Sequence, residues 1–300
     1  MKADLYTDYA GKRLESELQR RVSHRGVYEA KLWEAMDYSL TAGGKRLRPL
    51  FTLLGAACVT GKAMEEQTEE VLPFACALEM IHTYSLIHDD LPAMDNDDYR
   101  RGRLTNHKVF GEGMAVLAGD GLLNLAFETL MEALQQRYSP ERLKAAAVIA
   151  RSAGAYGMVG GQAADILAEK QLATMDHLKY IEAHKTGAIL EAAFLAGPLA
   201  VGAGEREERI LSEAGRAFGQ AFQIEDDILD VEGSAEELGK SVGKDNRDSK
   251  VTFVTLYGLE EAKRMASSLT EEAAGQILRL DNEYASYLAQ WVRDLLTRRS

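Results

Sequence analysis

Two groups of aspartates stand in otherwise apolar stretches of this 300-residue sequence. Asp89, Asp90 and Asp95 fall in YSLIHDDLPAMD, and Asp226, Asp227 and Asp230 in AFQIEDDILD. A buried carboxylate without a partner is costly, and close carboxylates raise one another's pKa. Two such groups call for cations between them. Oxygen-only ligands favour hard ions such as Mg2+, which keeps several waters and completes its shell with substrate phosphates. The chemistry expected is a diphosphate bound through metal ions.

Spacing separates the two groups. Residues four apart share a helix face, so Asp226 and Asp230 point the same way, with Asp227 about 100° aside. Asp89 and Asp95 are six apart with Pro92 between them. Proline does not sit comfortably inside a helix, so the helix is expected to break after Asp90 and swing Asp95 back toward Asp89. Asp97 and Asp98 read as a solvated acidic helix end. An EF-hand loop is excluded, because its fifth position would be Tyr99 and no Glu follows at the required distance.

Basic residues complement the acids. In Gly43-Gly44-Lys45-Arg46-Leu47-Arg48-Pro49 the glycines let the backbone approach an anion at a helix start, and Lys45 and Arg48 share a face that could clamp a diphosphate. Arg100 and Arg101 follow the first acidic group and could bind phosphate or neutralise the aspartates. His82 lies seven residues before Asp89, on the same helix face. Lys185 and Thr186 interrupt an apolar helix beside Gly187, where a helix deformation would aim the lysine into a cavity. Gln223 shares the face of Asp226, and in GGQAAD the paired glycines suggest close helix packing, with Gln162 and Asp165 supporting the site. The stretch 232–249 is the longest irregular one. With Lys240, Lys244 and Lys250 in or beside it, it is a candidate lid; Lys244 reads by default as a solvated charge.

The elements that must hold these residues are helices. Apolar residues recur at helical spacing over 28–38, 49–60, 66–90, 114–135, 143–159, 176–202, 208–230, 251–268 and 271–297. With five prolines and little alternating pattern, almost no sheet is expected, and no low-complexity linker divides residues 1–300. The helices around the aspartates are apolar on nearly every face and belong at the centre of a bundle, with the carboxylates lining an interior cavity. A net charge of −12 argues against nucleic acid or anionic membrane as partner. Cys58 and Cys76 lie in apolar surroundings, the N-terminal residues are polar, and GAILEAAFLAGPLAVGAG carries Glu191 and a proline. A reduced cytoplasmic protein without a membrane span is expected.

GGKRLRP at 43–49, SLIHDDLPAMDNDDYRRG at 85–102, GGQAAD at 160–165, HKTG at 184–187 and FQIEDDILD at 222–230 resemble, in order and spacing, the trans-isoprenyl diphosphate synthases. The resemblance runs from the first expected helix to Lys250 and more weakly beyond. The two extra residues inside the first aspartate motif look like bacterial farnesyl diphosphate synthases, and also like geranylgeranyl enzymes. The resemblance implies one all-α domain, a helical barrel around a deep cavity, in a homodimer. It implies three Mg2+ on the allylic diphosphate, with Asp89 and Asp95 holding two, Asp226 the third, and Asp90 and Asp230 close by. Arg100, Lys185, Lys240 and Lys250 would contact the allylic diphosphate; Gly44, Lys45, Arg48, His82 and Arg101 would hold isopentenyl diphosphate. Thr186 and Gln223 would stabilise the allylic cation. Tyr84, five residues and about 7.5 Å before Asp89, would close the pocket floor at farnesyl length, with the small Ser85 beside it. A terpene cyclase, which shares fold and first motif, is disfavoured by DDILD and GGKRLRP. A non-catalytic metal-binding protein would require the basic residues to be surface decoration.

Overall fold

Helical spacing becomes helix almost everywhere in the computed structural model, which describes residues 2–23, 26–168, 175–232 and 252–297. The chain runs through α1 (Lys2–Arg21), α2 (Ala30–Leu40), α3 (Leu47–Thr60) and α4 (Met64–Asp89) into a hairpin of β1 (Tyr99–Arg100) and β2 (Arg103–Leu104). Then follow α5 (Asn106–Phe110), α6 (Glu112–Gln136), α7 (Pro140–Ala153), α8 (Met158–Ala168), α9 (Met175–Ile181), a π-helical turn (Glu182–Gly187) and α10 (Ala188–Ala200). The order ends with α11 (Glu205–Glu232), α12 (Phe253–Tyr257), α13 (Leu259–Leu278) and α14 (Glu283–Thr297). The hairpin pairs Tyr99 with Leu104 and Arg100 with Arg103, and no other sheet occurs among the described residues. The fold is all-α, as expected.

Several boundaries differ from those the sequence pattern predicts, among them the division of 251–268 at Gly258 (φ 81°) and the short α5, which lies outside every predicted helix. α1 falls outside the predicted helices, because polar residues dominate it; its stripe of Ala10, Leu14 and Leu18, with Val22 beyond, is buried all the same. The predicted helix 143–159 divides into α7 and α8, with a turn at Gly154–Gly157. The break predicted near 269–270 lies at 279–282 instead, where Asp281 takes a left-handed φ of 52° and the Asn282 side chain accepts from the Ala285 amide.

The core is organised around α10, whose residues are buried on nearly every side against α3, α4, α7 and α11. Phe194 of α10 stacks on Phe51 of α3 at 4.4 Å between ring centroids. Phe218 of α11 and Trp291 of α14 close on Phe51 at 4.8 and 5.0 Å. Backbones meet where side chains vanish: a Cβ on Gly197 would stand 1.8 Å from the Thr52 carbonyl oxygen. The Thr52 hydroxyl in turn reaches the Ala193 carbonyl at 3.1 Å. α6 packs along α4 with Ala115, Ala118, Leu122 and Ala126 buried, while Val116, Leu117 and Met131 are exposed. Among the described residues, α6 is the one helix long and apolar enough to cross a membrane, yet its inner stripe belongs to this core.

The glycine contact gives a stability test. Gly197→Ala should lower unfolding free energy by about 1–3 kcal/mol, because backbone must move to admit the methyl group. Gly275→Ala, in α13 with open space around it, should raise it by about 0.5–1 kcal/mol. Urea unfolding of the two variants beside the parent checks both signs.

Candidate functional site

α4 ends at Asp89, and Asp90 caps it. Pro92 turns the chain, and the Asp95 amide donates to the Asp89 carbonyl at 2.8 Å, bringing the two aspartates together as their spacing suggested. Asn96, at a left-handed φ of 53°, completes the turn by donating to the Leu91 carbonyl at 3.1 Å. Among the described residues Asp89 makes no direct ion pair. Burial raises its carboxyl pKa to about 6; the nearby Asp95 charge adds to that, and Lys185 and Arg100 oppose it.

Asp90 faces elsewhere. It is 3 % exposed, and its Oδ1 accepts from Arg100 at 2.7 Å. Burial pushes it too up to about 6 despite that arginine. It lines a cleft between α2, α4 and the hairpin, with Ser39, Thr83, Arg101 and Asn106. Asp98 is at the surface, paired with Lys108 at 2.8 Å, in keeping with a solvated acidic end.

The second acidic group is on α11 beside the π-helical turn. Thr186 donates to the Gln223 side-chain oxygen at 3.2 Å, one turn before Asp226. Lys185 Nζ meets Asp165 Oδ2 of α8 at 2.6 Å. The turn is gripped closely from both sides: a Cβ on Gly161 would lie 2.1 Å from the Lys185 amide nitrogen, and one on Gly219 would lie 3.2 Å from the Gly187 Cα. The expected deformation at Gly187 is thus a full π turn, and of the glycine pair Gly161 makes the close contact with it. The charge of Lys185 is felt at Asp89, and Arg48 feels Asp226. Both aspartate groups therefore border one region. Asp227 serves the backbone instead, since its Oδ2 accepts from the Phe253 amide at 2.8 Å and pins the start of α12. Glu182 is buried, and burial with the Asp227 charge raises its pKa to about 8.

The basic run forms a tight turn into α3. Gly43 and Gly44 take φ of 80° and 133°, and Arg46 takes the left-handed value of 47° at the helix cap. Arg101 donates to the Gly43 carbonyl, and a Cβ on Gly44 would lie 2.9 Å from its guanidinium carbon. Lys45 is exposed. Arg48 has a buried Nε with no partner, and burial lowers its pKa to about 10. His82 is held well below its usual value by burial, then by Arg48, Arg101, Arg100 and Arg46, so it is neutral at pH 7. Ser85 donates to the His82 carbonyl at 2.9 Å. Tyr84 is 5 % exposed, its ring edge-on to His88 at 5.6 Å, and burial pushes its hydroxyl up to about 12. Lys240, Lys244 and Lys250 lie outside the described residues, as does most of the stretch expected to form a lid.

Among the described residues no three His, Cys, Asp or Glu side chains form a ready-made cation cage. The acids flank the region in separate groups, an arrangement that suits an ion completing its shell with waters and substrate oxygens. One residue at the site is absent from the sequence-based candidates. Glu79, 2 % exposed, holds Arg46 at 2.6 Å. A lone glutamate inside the apolar run FACALEMIHTY is the signal that points to it.

Comparison with known proteins agrees with this geometry. Residues 29–288 match the family described as Polyprenyl synthetase. The chain is 50 % identical over 258 residues to a farnesyl diphosphate synthase of Geobacillus stearothermophilus, covering 86 % of this chain and 85 % of that one. It is 46 % identical over 273 residues to a geranylgeranyl diphosphate synthase of Cyanophora paradoxa, covering 90 % and 88 %. The crystal structure of an FPP/GFPP synthase from Zymomonas mobilis superimposes with a TM-score of 0.86 at 33 % identity, covering 99 % of each chain.

The raised carboxyl pKa values have a sign that can be checked. A carboxyl whose folded pKa is raised favours folding when protonated, and that contribution is lost as pH rises through about 6. The contribution of Asp89 and Asp90 to the stability of metal-free protein should therefore grow as pH falls from about 7 toward about 4.5, against the opposite pull of the buried, neutral His82. Asp89→Asn should stabilise the metal-free protein at pH 7 by roughly 1–3 kcal/mol and flatten that pH dependence. Thermal unfolding in chelator across this range measures both; a variant no more stable than the parent at pH 7 contradicts the burial argument.

Proposed function

The chain belongs to the polyprenyl synthetase family, and we propose that it acts, as a single domain, as a farnesyl diphosphate synthase. It would join isopentenyl diphosphate to dimethylallyl and then geranyl diphosphate. The observation that carries this reading is the π-helical turn: Lys185 is felt at Asp89 on one side, and Thr186 is bonded to Gln223 beside Asp226 on the other. A cation-stabilising segment between two acidic groups is what an ionising diphosphate needs.

Asp89, Asp95, Asp226 and Asp230 are the residues that would hold Mg2+, three ions once allylic diphosphate is bound, with Asp90 behind them steering Arg100. Buried carboxyls at about 6 and a carboxylate without a direct ion pair fit that cation. Bound there, Mg2+ would neutralise charge on the diphosphate as the allylic C–O bond breaks. Arg100 and Lys185, with Lys240 and Lys250, would hold the same phosphates and stabilise the leaving group. Gly44, Lys45, Arg48, His82 and Arg101 would hold the diphosphate of the second substrate; the unpartnered Arg48 Nε fits an anion. Oxygen dipoles of Thr186 and Gln223 would face the allylic cation, and the apolar walls keep water from it. The double bond of isopentenyl diphosphate then attacks, and the released pyrophosphate takes the proton. No protein base is required.

Relatives named for geranylgeranyl products make pocket depth the deciding feature for product. Tyr84, buried below Asp89 with the small Ser85 beside it, supports a farnesyl-length stop. The exposed apolar stripe of α6, with Val116, Leu117 and Met131, supports a homodimer.

Pyrophosphate release should require both substrates and Mg2+, and Asp89→Ala or Asp226→Ala should remove most of it. Farnesyl diphosphate should be the main product, and Tyr84→Ala should extend it by at least one isoprene unit, read by chromatography of labelled products. Release from the allylic substrate alone would point to a cyclase, and an unchanged product length would remove Tyr84 from the floor. Sedimentation should show a dimer that Leu117→Glu dissociates; a wild-type monomer at micromolar concentration refutes the dimer.

A further inference from the structure

Arginines gathered away from water repel one another and lose hydration, so they stay charged and close only beside a counter-charge. Arg46 and Arg101 share such a region with a partly buried Arg48 and the neutral His82. Glu79 lies one turn before His82 on α4 and is itself 2 % exposed. Its Oε1 meets Arg46 at 2.6 Å, and its charge is felt by both Arg48 and Arg101.

Arg46 is fully engaged in the structure. Its Nε donates to Glu15 at 2.7 Å, its Nη1 to Glu79, and its Nη2 to the Leu40 carbonyl at 2.8 Å. It has little left to offer a substrate. It is also the cap of α3, held at a left-handed φ that a non-glycine residue adopts only under constraint. Pinning it fixes Lys45 before it and Arg48 in the first turn after it. The same turn presents Gly43 and Gly44, over which Arg101 folds.

We infer that Glu79 is a positioning residue for the isopentenyl diphosphate site. Through Arg46 it fixes the Gly43–Arg48 turn, and by its charge it keeps Arg48 and Arg101 assembled before the substrate arrives. The inference rests on the synthase reading above and adds a residue to it. A carboxylate so near an anion's site would repel that anion, so its value lies in preorganising the empty site.

Glu79→Gln keeps the shape and removes the charge. It should raise KM for isopentenyl diphosphate about tenfold or more, while kcat and KM for the allylic substrate change less than about threefold. A purely structural ion pair would instead disturb both substrates alike, and that outcome, or an unchanged isopentenyl KM, overturns the inference. If Glu79→Gln fails to fold, Arg46→Met with Glu79→Leu replaces the pair by apolar groups, which buried pairs often tolerate. The same selective rise is then expected, and a normal isopentenyl KM in that double variant refutes it. Calorimetric binding of isopentenyl diphosphate separates the two readings. Loss of synthase turnover in the wild type with weakened binding in Glu79→Gln overturns only the synthase reading, whereas equal binding in wild type and variant overturns only the role of Glu79.

Discussion

Charge buried in an apolar helical interior is the constraint on which the rest of this structure depends. Asp89 and Asp90 sit where burial, aided by neighbouring carboxylates and opposed by nearby cations, raises a carboxyl to about 6, a shift of about two units and therefore about 3 kcal/mol against the ionised form. The arginine cluster faces the same cost with opposite sign. Without substrate, each set is held by protein groups of the other sign: Asp90 by Arg100, Lys185 by Asp165, Arg46 by Glu79. The site is an array of charges already oriented, so the diphosphate and cations proposed to bind there would meet groups that need little rearrangement.

Such an array needs walls that do not give way, and glycine contacts supply them. Gly161 lets α8 touch the π-helical turn at the Lys185 amide, and Gly219 lets α11 touch it at Gly187. A π turn presents one extra residue per cycle and is tolerated only where neighbours enforce it. Here those neighbours are the helices that carry Asp165 and Asp226. The local backbone that aims Lys185 and Thr186 thus shares its supports with the acids they serve. Asp227 extends the same economy in the other direction: instead of facing its neighbours it caps α12, tying α11 to the chain that follows residues 233–251.

Much of this is legible in the sequence because it is local. Aspartates four apart on a helix, a proline inside an acidic motif, and a glycine beside a lysine each dictate a nearby geometry, and Asp95 folds back onto Asp89 as that logic requires. α1 is not legible, since its thin stripe of Ala10, Leu14 and Leu18 is outweighed by polar residues, and what holds it is distant in sequence: packing on α3 and α4 and pairs such as Glu15 with Arg46. Nor is the pairing of Glu79 with Arg46, 33 residues apart, or of Asp165 with Lys185, 20 apart. Which acid meets which base is set by helix packing, and no spacing rule reaches that far. The divergence of Asp90 from Asp89 sits between the two cases. Adjacent helical residues must face differently, but only the hairpin that delivers Arg100 decides what Asp90 meets.

Pocket depth shows how far the consequences of one helix contact extend. Tyr84 sits edge-on to His88, and the His88 ring is laid over Gly119, where a Cβ would stand 2.1 Å from its Nε2. That nitrogen lies 3.1 Å from the Val116 carbonyl on α6. The proposed floor is therefore braced by α6, and through it by the side of α6 that carries the exposed Val116 and Leu117. A side chain larger than glycine at 119 would push His88, and His88 would push Tyr84. On the proposed reading of Tyr84 as the floor, product length would depend on the seating of α6 as well as on the residue five before Asp89, and a change in helix packing would alter the pocket without touching a substrate contact.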